Sequence, residues 1–110
     1  AMVLIAAERD PNAPPDQTGL TLLSRLALAQ GNLAQARTLA ERSLAARDPN
    51  DVASVAEARL ELAKVLGHTP ADKPRAVELM HQARESFVSL HADGRAGRQA
   101  VDAWLAANAQ

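Results

Sequence analysis

Cysteine and tyrosine are absent from this chain of 110 residues, and its only aromatic side chains are Phe87 and Trp104. Without cysteine there is no disulfide framework and no thiolate chemistry, and the redox compartment is left open. No apolar run approaches the ~20 residues that a membrane helix requires. β-branched residues are few and scattered, so no segment reads as a strand. A formal charge of −1 and a pI near 6.3 give no global field for nucleic acid or an anionic membrane. Residues 1–7 are short and lack the basic flank of a signal peptide, which makes cytoplasm the default expectation. What the chain has in abundance is alanine, the best helix former and a side chain small enough for helices to approach closely. Its length suits one domain with a core that needs no covalent staples.

One tetrapeptide occurs twice. Arg9-Asp10-Pro11-Asn12 returns 38 residues later as Arg47-Asp48-Pro49-Asn50, and the two copies close the alanine-rich runs Leu4-Ile5-Ala6-Ala7 and Leu44-Ala45-Ala46. A period of that size signals a stacked array of helical repeats. In such arrays each helix pair buries its apolar face only against its neighbours, and the product is an extended surface for another protein. Ala1-Met2 looks like an expression scar, and Val3 to Arg9 read as the tail of a preceding helix.

Punctuation divides the rest. Pro11, Pro14 and Pro15 make a linker, after which Asp16 or Thr18 is placed to cap a helix from about Gly19 to Gln30. Gly31 suits the left-handed position after that helix, and Asn32 caps a second, Leu33 to Arg47, which Asp48-Pro49 ends. Asn50 or Asp51 caps a third helix to Leu66, with Gly67 as its stop. After the loop Thr69 to Pro74, with Asp72 as cap and Pro74 in the first turn, a fourth helix runs to about His91, and Asp93-Gly94 ends it. A fifth spans about Ala96 to Asn108.

Each helix carries an apolar stripe at the helical period. The stripes are Leu20, Leu23, Leu26 and Ala27; then Leu33, Ala36, Ala40 and Ser43; then Val52, Val55, Ala56, Leu62, Ala63 and Leu66. The fourth helix offers Ala76, Leu79, Met80, Ala83, Phe87 and Leu90, and the fifth Val101, Trp104 and Leu105. Short connections make sequential helices antiparallel neighbours, so the expected fold is all-α, a right-handed stack of helix hairpins.

Residues 20–50 resemble a tetratricopeptide repeat. Leu20, Leu23, Ser24 and Ala27 stand where that family has large, large, small and small residues in its first helix, and Gln30-Gly31-Asn32-Leu33 resembles its inter-helix turn. Ala36, Ala40 and Ser43 fall where it packs small residues, and Asp48-Pro49-Asn50 resembles its closing turn, with the proline one residue late. A looser second copy covers about 53–92, where Ala76, Met80 and Ala83 repeat the second-helix pattern, the turn is longer and Arg59 replaces an apolar residue. The resemblance implies a short α-solenoid: residues 1–12 as the tail of a preceding helix, 13–50 and 51–93 as two repeats, and 94–110 as a capping helix. The segment Val101 to Ala107 also resembles the closing helix of alanine-rich repeat tails in large bacterial proteins, including some serine/threonine protein kinases.

A concave surface lined by the first helix of each hairpin is what the resemblance implies for partner binding. On the third helix Ser54, Glu57, Glu61, Lys64 and His68 share a face, and on the first Thr18, Thr21, Arg25 and Leu28 do. The candidate partner-binding residues are therefore Thr21, Arg25, Leu28, Glu57, Glu61 and Lys64. The plainer reading of the same residues is a solvated face with Glu61 and Lys64 as a surface pair.

Other chemistry is poorly supplied. Glu78-Leu79-Met80-His81 has the Glu-x-x-His spacing of carboxylate di-iron bundles, but the second motif and the extra glutamates are missing, and His81 reads as a surface residue near Glu85. His68, His81 and His91 are too far apart for a metal spacing. The basic turn Gly94-Arg95-Ala96-Gly97-Arg98 follows no strand and lacks the lysine and hydroxyl of a phosphate loop. No nucleophile stands in a catalytic context, so no enzyme activity, cofactor or metal is expected. Trp104 reads as the core-facing residue of the cap, with Arg98, Asp102 and Asn108 on the outside. The expected function is a protein-protein interaction module, part of a larger bacterial protein. The alternatives are a regulatory segment of a bacterial kinase or transcription regulator and a small all-α oligomerisation domain that self-associates.

Overall fold

The computed structural model describes residues 17–108. The expected tail over 1–12, the linker prolines and the cap Asp16 lie outside the described residues. Among the described residues five α-helices follow one another: α1 (Gln17–Ala29), α2 (Leu33–Ala45), α3 (Val52–Leu66), α4 (Lys73–Ser89) and α5 (Arg95–Asn108). Short 3-10 turns, Pro70–Asp72 and His91–Gly94, precede α4 and α5, and no strand occurs among the described residues.

Local chemistry explains most boundaries. Gly31 adopts φ +78°, the left-handed conformation that reverses the chain after α1. Asn32 and Asp51 then cap α2 and α3, their side-chain oxygens accepting the backbone N–H of Gln35 at 3.2 Å and of Ser54 at 3.1 Å. Between α2 and α3 the Asp48 carboxylate accepts the Asn50 N–H at 2.9 Å, and the Asp48 carbonyl accepts that of Asp51, also at 2.9 Å. The second copy of the tetrapeptide, Arg47 to Asn50, thus folds as a side-chain-closed turn, and the first lies outside the described residues.

Both ends of α4 differ from expectation. Asp72 makes no cap bond; its carboxylate accepts Arg37 Nη1 of α2 at 3.1 Å, and a 3-10 turn leads into α4 instead. The residue α4 needs in the left-handed region is His91 (φ 54°), beyond a helix that stops at Ser89. Gly67 ends α3 after Leu66 as expected, though in the right-handed region (φ −63°), and Gly94 is not a left-handed stop. A Cβ at Gly67 would lie 2.6 Å from Cζ2 of Trp104, and one at Gly94 would run into the backbone of Phe87, so both glycines serve close approach.

Packing follows the order of the chain. Each helix lies against its neighbours in sequence, and the central α3 also touches α1 and α5. Its burial runs round much of its circumference, from Ser54, Ala56 and Ala58 to Leu60, Leu62, Ala63, Val65 and Leu66, because it has neighbours on several sides. The expected stripe of α4 is buried from Ala76 to Phe87, with Leu90 half-buried. In α2 it is Ala36, Leu39, Ala40 and Ser43 that are buried, and Leu33 is exposed. Val52 of α3 is exposed as well. On α5, Val101 is fully buried while Trp104 and Leu105 pack against the core from its edge.

The first helix is turned relative to its expected stripe. Leu20, Ser24 and Ala27 face the core, and Leu23 and Leu26 join Leu22 on the exposed side. Ser24 accounts for this: its hydroxyl donates to the Ala36 carbonyl at 3.0 Å, which satisfies a buried polar group and seats α1 against α2 through a small side chain.

Small-residue contacts yield a direct test. Ala36 and Ala83 are fully buried, whereas Ala45 is exposed. Ala36→Trp and Ala83→Trp should each cost ~1–3 kcal/mol or more in urea unfolding, and Ala45→Trp should cost much less. Equal costs at the three positions would contradict this packing.

Candidate functional site

Alternate helices share one groove of about 360 Å³. Its first wall is Thr21 and Arg25 of α1, and its second is Glu57, Glu61 and Lys64 of α3. Leu60 and Phe87, both buried, form the floor, and Ala96, Gly97 and Ala100 of α5 close the far side beside Asp93. From α2 and the turn that follows it, only Arg47 reaches this groove. Five of the six residues expected on a binding face are therefore brought together. Leu28 is not on the lining; it is half-buried and packs against the core. Ser54, expected on the same polar face, is buried, and His68 is exposed outside the groove.

The walls are tied by charge. Arg25 Nη2 donates to Glu61 Oε1 at 2.8 Å, and Lys64 Nζ stands 3.9 Å from the same oxygen. The expected Glu61–Lys64 pair exists, yet the pair across helices is the closer one. The hydrogen bond to Glu61 raises the pKa of Arg25, burial opposes that rise, and the charges of Glu61 and Glu57 add to it. A pKa raised by folding adds stability at every pH below the unfolded value, so for arginine the sign holds through the whole working range.

A second tie is made of hydroxyls. Arg47 donates through Nη2 to Thr21 Oγ1 at 2.7 Å and Ser43 Oγ at 3.0 Å, through Nη1 to Ser54 Oγ at 2.9 Å, and through Nε to the Ser43 carbonyl at 3.3 Å. Thr21 and Ser43 also share a hydrogen bond of 2.9 Å. One guanidinium thus joins α1, α2 and α3. The sequence placed Arg47 only at the end of the second helix; its repetition in the tetrapeptide was the one signal that singled it out. Nothing in the sequence marked Ala96, Gly97 and Ala100 as a wall. That wall exists because a Cβ at Gly97 would run into the ring of Phe87, so α5 comes down close upon it.

The other candidates stay apart. His81 and Glu85 are both exposed on α4, and among the described residues no group of His, Asp and Glu side chains is arranged to hold a metal ion. No described helix is long and apolar enough to cross a membrane. No protein-family model, curated protein or solved structure matches the chain.

The Arg25 side chain is 58% exposed and that of Glu61 15%, so water screens the pair from one side. A double-mutant cycle of Arg25→Ala and Glu61→Ala should return a coupling of ~0–1 kcal/mol that shrinks as salt is added. A salt-independent coupling of several kcal/mol would mean that the pair is sealed from solvent.

Proposed function

We propose that this chain is a protein-interaction module of the tetratricopeptide kind, a short stack of antiparallel helix hairpins closed by a capping helix, and that it takes a segment of another protein along its groove. The observation that carries this reading is the groove's lining: α1, α3 and α5 supply its walls, while α2 and α4 stay behind, apart from Arg47 and the floor residue Phe87. That alternation is what a stack of hairpins requires, the first helix of each pair facing inward. Charged rims over a buried apolar floor are the usual anatomy of a recognition surface.

The test compares faces. Arg25→Glu/Glu61→Arg keeps an ion pair but reverses the field that a partner meets, and should strongly reduce partner capture while shifting stability by only about 0.5 kcal/mol. The matched outer substitution is Glu85→Lys, exposed on α4 and outside the groove. Glu41 is a poorer control, since it accepts Arg75 Nη1 at 2.9 Å and ties α2 to α4. Loss of capture in the Glu85 variant with retention in the swapped pair would move the site to the convex side.

One observation favours self-association as a second reading. Leu22, Leu23 and Leu26 are exposed within two turns of α1, and such apolar side chains grouped on one surface mark interaction sites. If a second copy covers them, light scattering should show a mass that rises with concentration, and Leu23→Lys/Leu26→Lys should abolish that rise. A concentration-independent monomer mass in the unsubstituted protein would remove this reading.

A further inference from the structure

Opposite faces of α5 carry different surfaces. Ala96, Gly97 and Ala100 line the groove, whereas Arg95 and Arg98, on the other side of the helix, line a separate cavity of about 280 Å³ between the end of α4 and the start of α5. Phe87 and Val88 of α4 complete that cavity with His91 and Ala92, and Phe87 is the one lining residue it shares with the groove. Its charge is of one sign. His91, Arg95 and Arg98 are all exposed, and among the described residues none of these three side chains makes a hydrogen bond or an ion pair. By contrast, Arg25, Arg37, Arg75 and Arg84 each meet a carboxylate, at distances of 2.7 to 3.1 Å. The carboxylates nearest in sequence are engaged or lie elsewhere. Asp102, one turn after Arg98, accepts Arg84 Nε at 2.7 Å, Asp93 lines the groove, and Glu85 is off the cavity's lining.

Like charges gathered without counter-charges repel one another, and an anion relieves that repulsion. We infer that this cavity binds a small phosphate monoester, its phosphoryl oxygens held by Arg95, Arg98 and His91 and its organic part resting on Phe87 and Val88. Each guanidinium is a planar fork that matches two phosphoryl oxygens, and the imidazole adds a further donor. Because these donors are side chains, the site needs no glycine-rich loop, and the missing phosphate-loop motif does not count against it. Exposed apolar surface favours an ester over free phosphate: Val88 is 43% exposed beside the cations, and a ring would cover it. The volume sets the scale. Ligand pockets begin at ~300 Å³, so one ring and one phosphate suit this cavity and a large cofactor does not. His91 supports the same assignment, since its φ of 54° is a conformation that glycine adopts without steric conflict, yet the chain puts a donor there. The site lies apart from the groove and stands or falls independently of it.

The probes are inorganic phosphate, phenyl phosphate and benzyl alcohol, titrated into the whole chain at about 0.15 M salt, where diffuse attraction is screened, and followed by NMR. Phenyl phosphate should shift the Nε–H resonances of Arg95 and Arg98 and the amides of Val88 and Ala92 saturably, and should bind about tenfold more tightly than inorganic phosphate. Benzyl alcohol should shift none of them. Arg95→Gln and Arg98→Gln should each weaken phenyl phosphate about tenfold, the loss of one charge-assisted contact. Arg42→Gln, exposed on α2 and off the lining, should leave that affinity unchanged. If either variant in the cavity lowers the melting temperature, His91→Gly serves in its place: glycine suits the left-handed turn, so the melting temperature should hold or rise while phenyl phosphate binds severalfold more weakly. Equal weakening by Arg42→Gln, equal affinity for phenyl and inorganic phosphate, or no saturable shift with either would overturn the inference. If vesicles of phosphatidic acid pull the chain down in sedimentation while phenyl phosphate moves none of these resonances, the phosphate is met on a membrane and the inference falls.

Discussion

Ala36, Ala40, Ala56, Ala63, Ala76 and Ala83 are buried between helices with a single methyl each to fill the space, so the helix axes have to come close. That short distance governs what else fits. Among the described residues the largest side chains that are fully buried are Leu62, Leu66, Met80 and Val101. Glycine is needed wherever an aromatic ring crosses a backbone, as at Gly67 and Gly97. A core of this kind gains less from apolar area than from dense contact, and it tolerates added volume badly.

Close packing also brings polar groups to the seams. Ser24, Ser43 and Ser54 are buried, yet among the described residues no buried side-chain polar atom lacks a partner. The hydroxyls are satisfied by the Ala36 carbonyl and by Arg47, so the same small residues that let helices meet also join them. On the outside, Arg37–Asp72, Arg75–Glu41 and Arg84–Asp102 bridge separate elements. Exposed pairs of this sort fix orientation more than they add stability.

How much of this the sequence carried depends on the element. The α4 stripe from Ala76 to Phe87 could be read from period alone, because this helix buries one face and most of its apolar residues lie there, with Val88 exposed. The period misled at α1, where leucines lie on two sides and the choice is made by Ser24, whose hydrogen bond to α2 is invisible without the partner helix. Gly31, Asn32 and Asp51 were legible as turn and caps because their chemistry is local. At the groove, spacing gave Glu57, Glu61 and Lys64 as one face of α3. It gave no means of setting Arg25 opposite Glu61, since that register depends on how two helices slide past each other. The α5 wall was hidden for the same reason: alanine and glycine announce no face until a neighbour presses on them.

The contact between Trp104 and Gly67 has a practical side. The chain has one tryptophan and no tyrosine, so every photon of indole emission comes from the seam between α5 and the end of α3. The indole is half-buried there, and its spectrum changes with the wetting of that seam. Detachment of the last helix, with the remaining helices still folded, is therefore visible as a change in colour without any label attached to the protein.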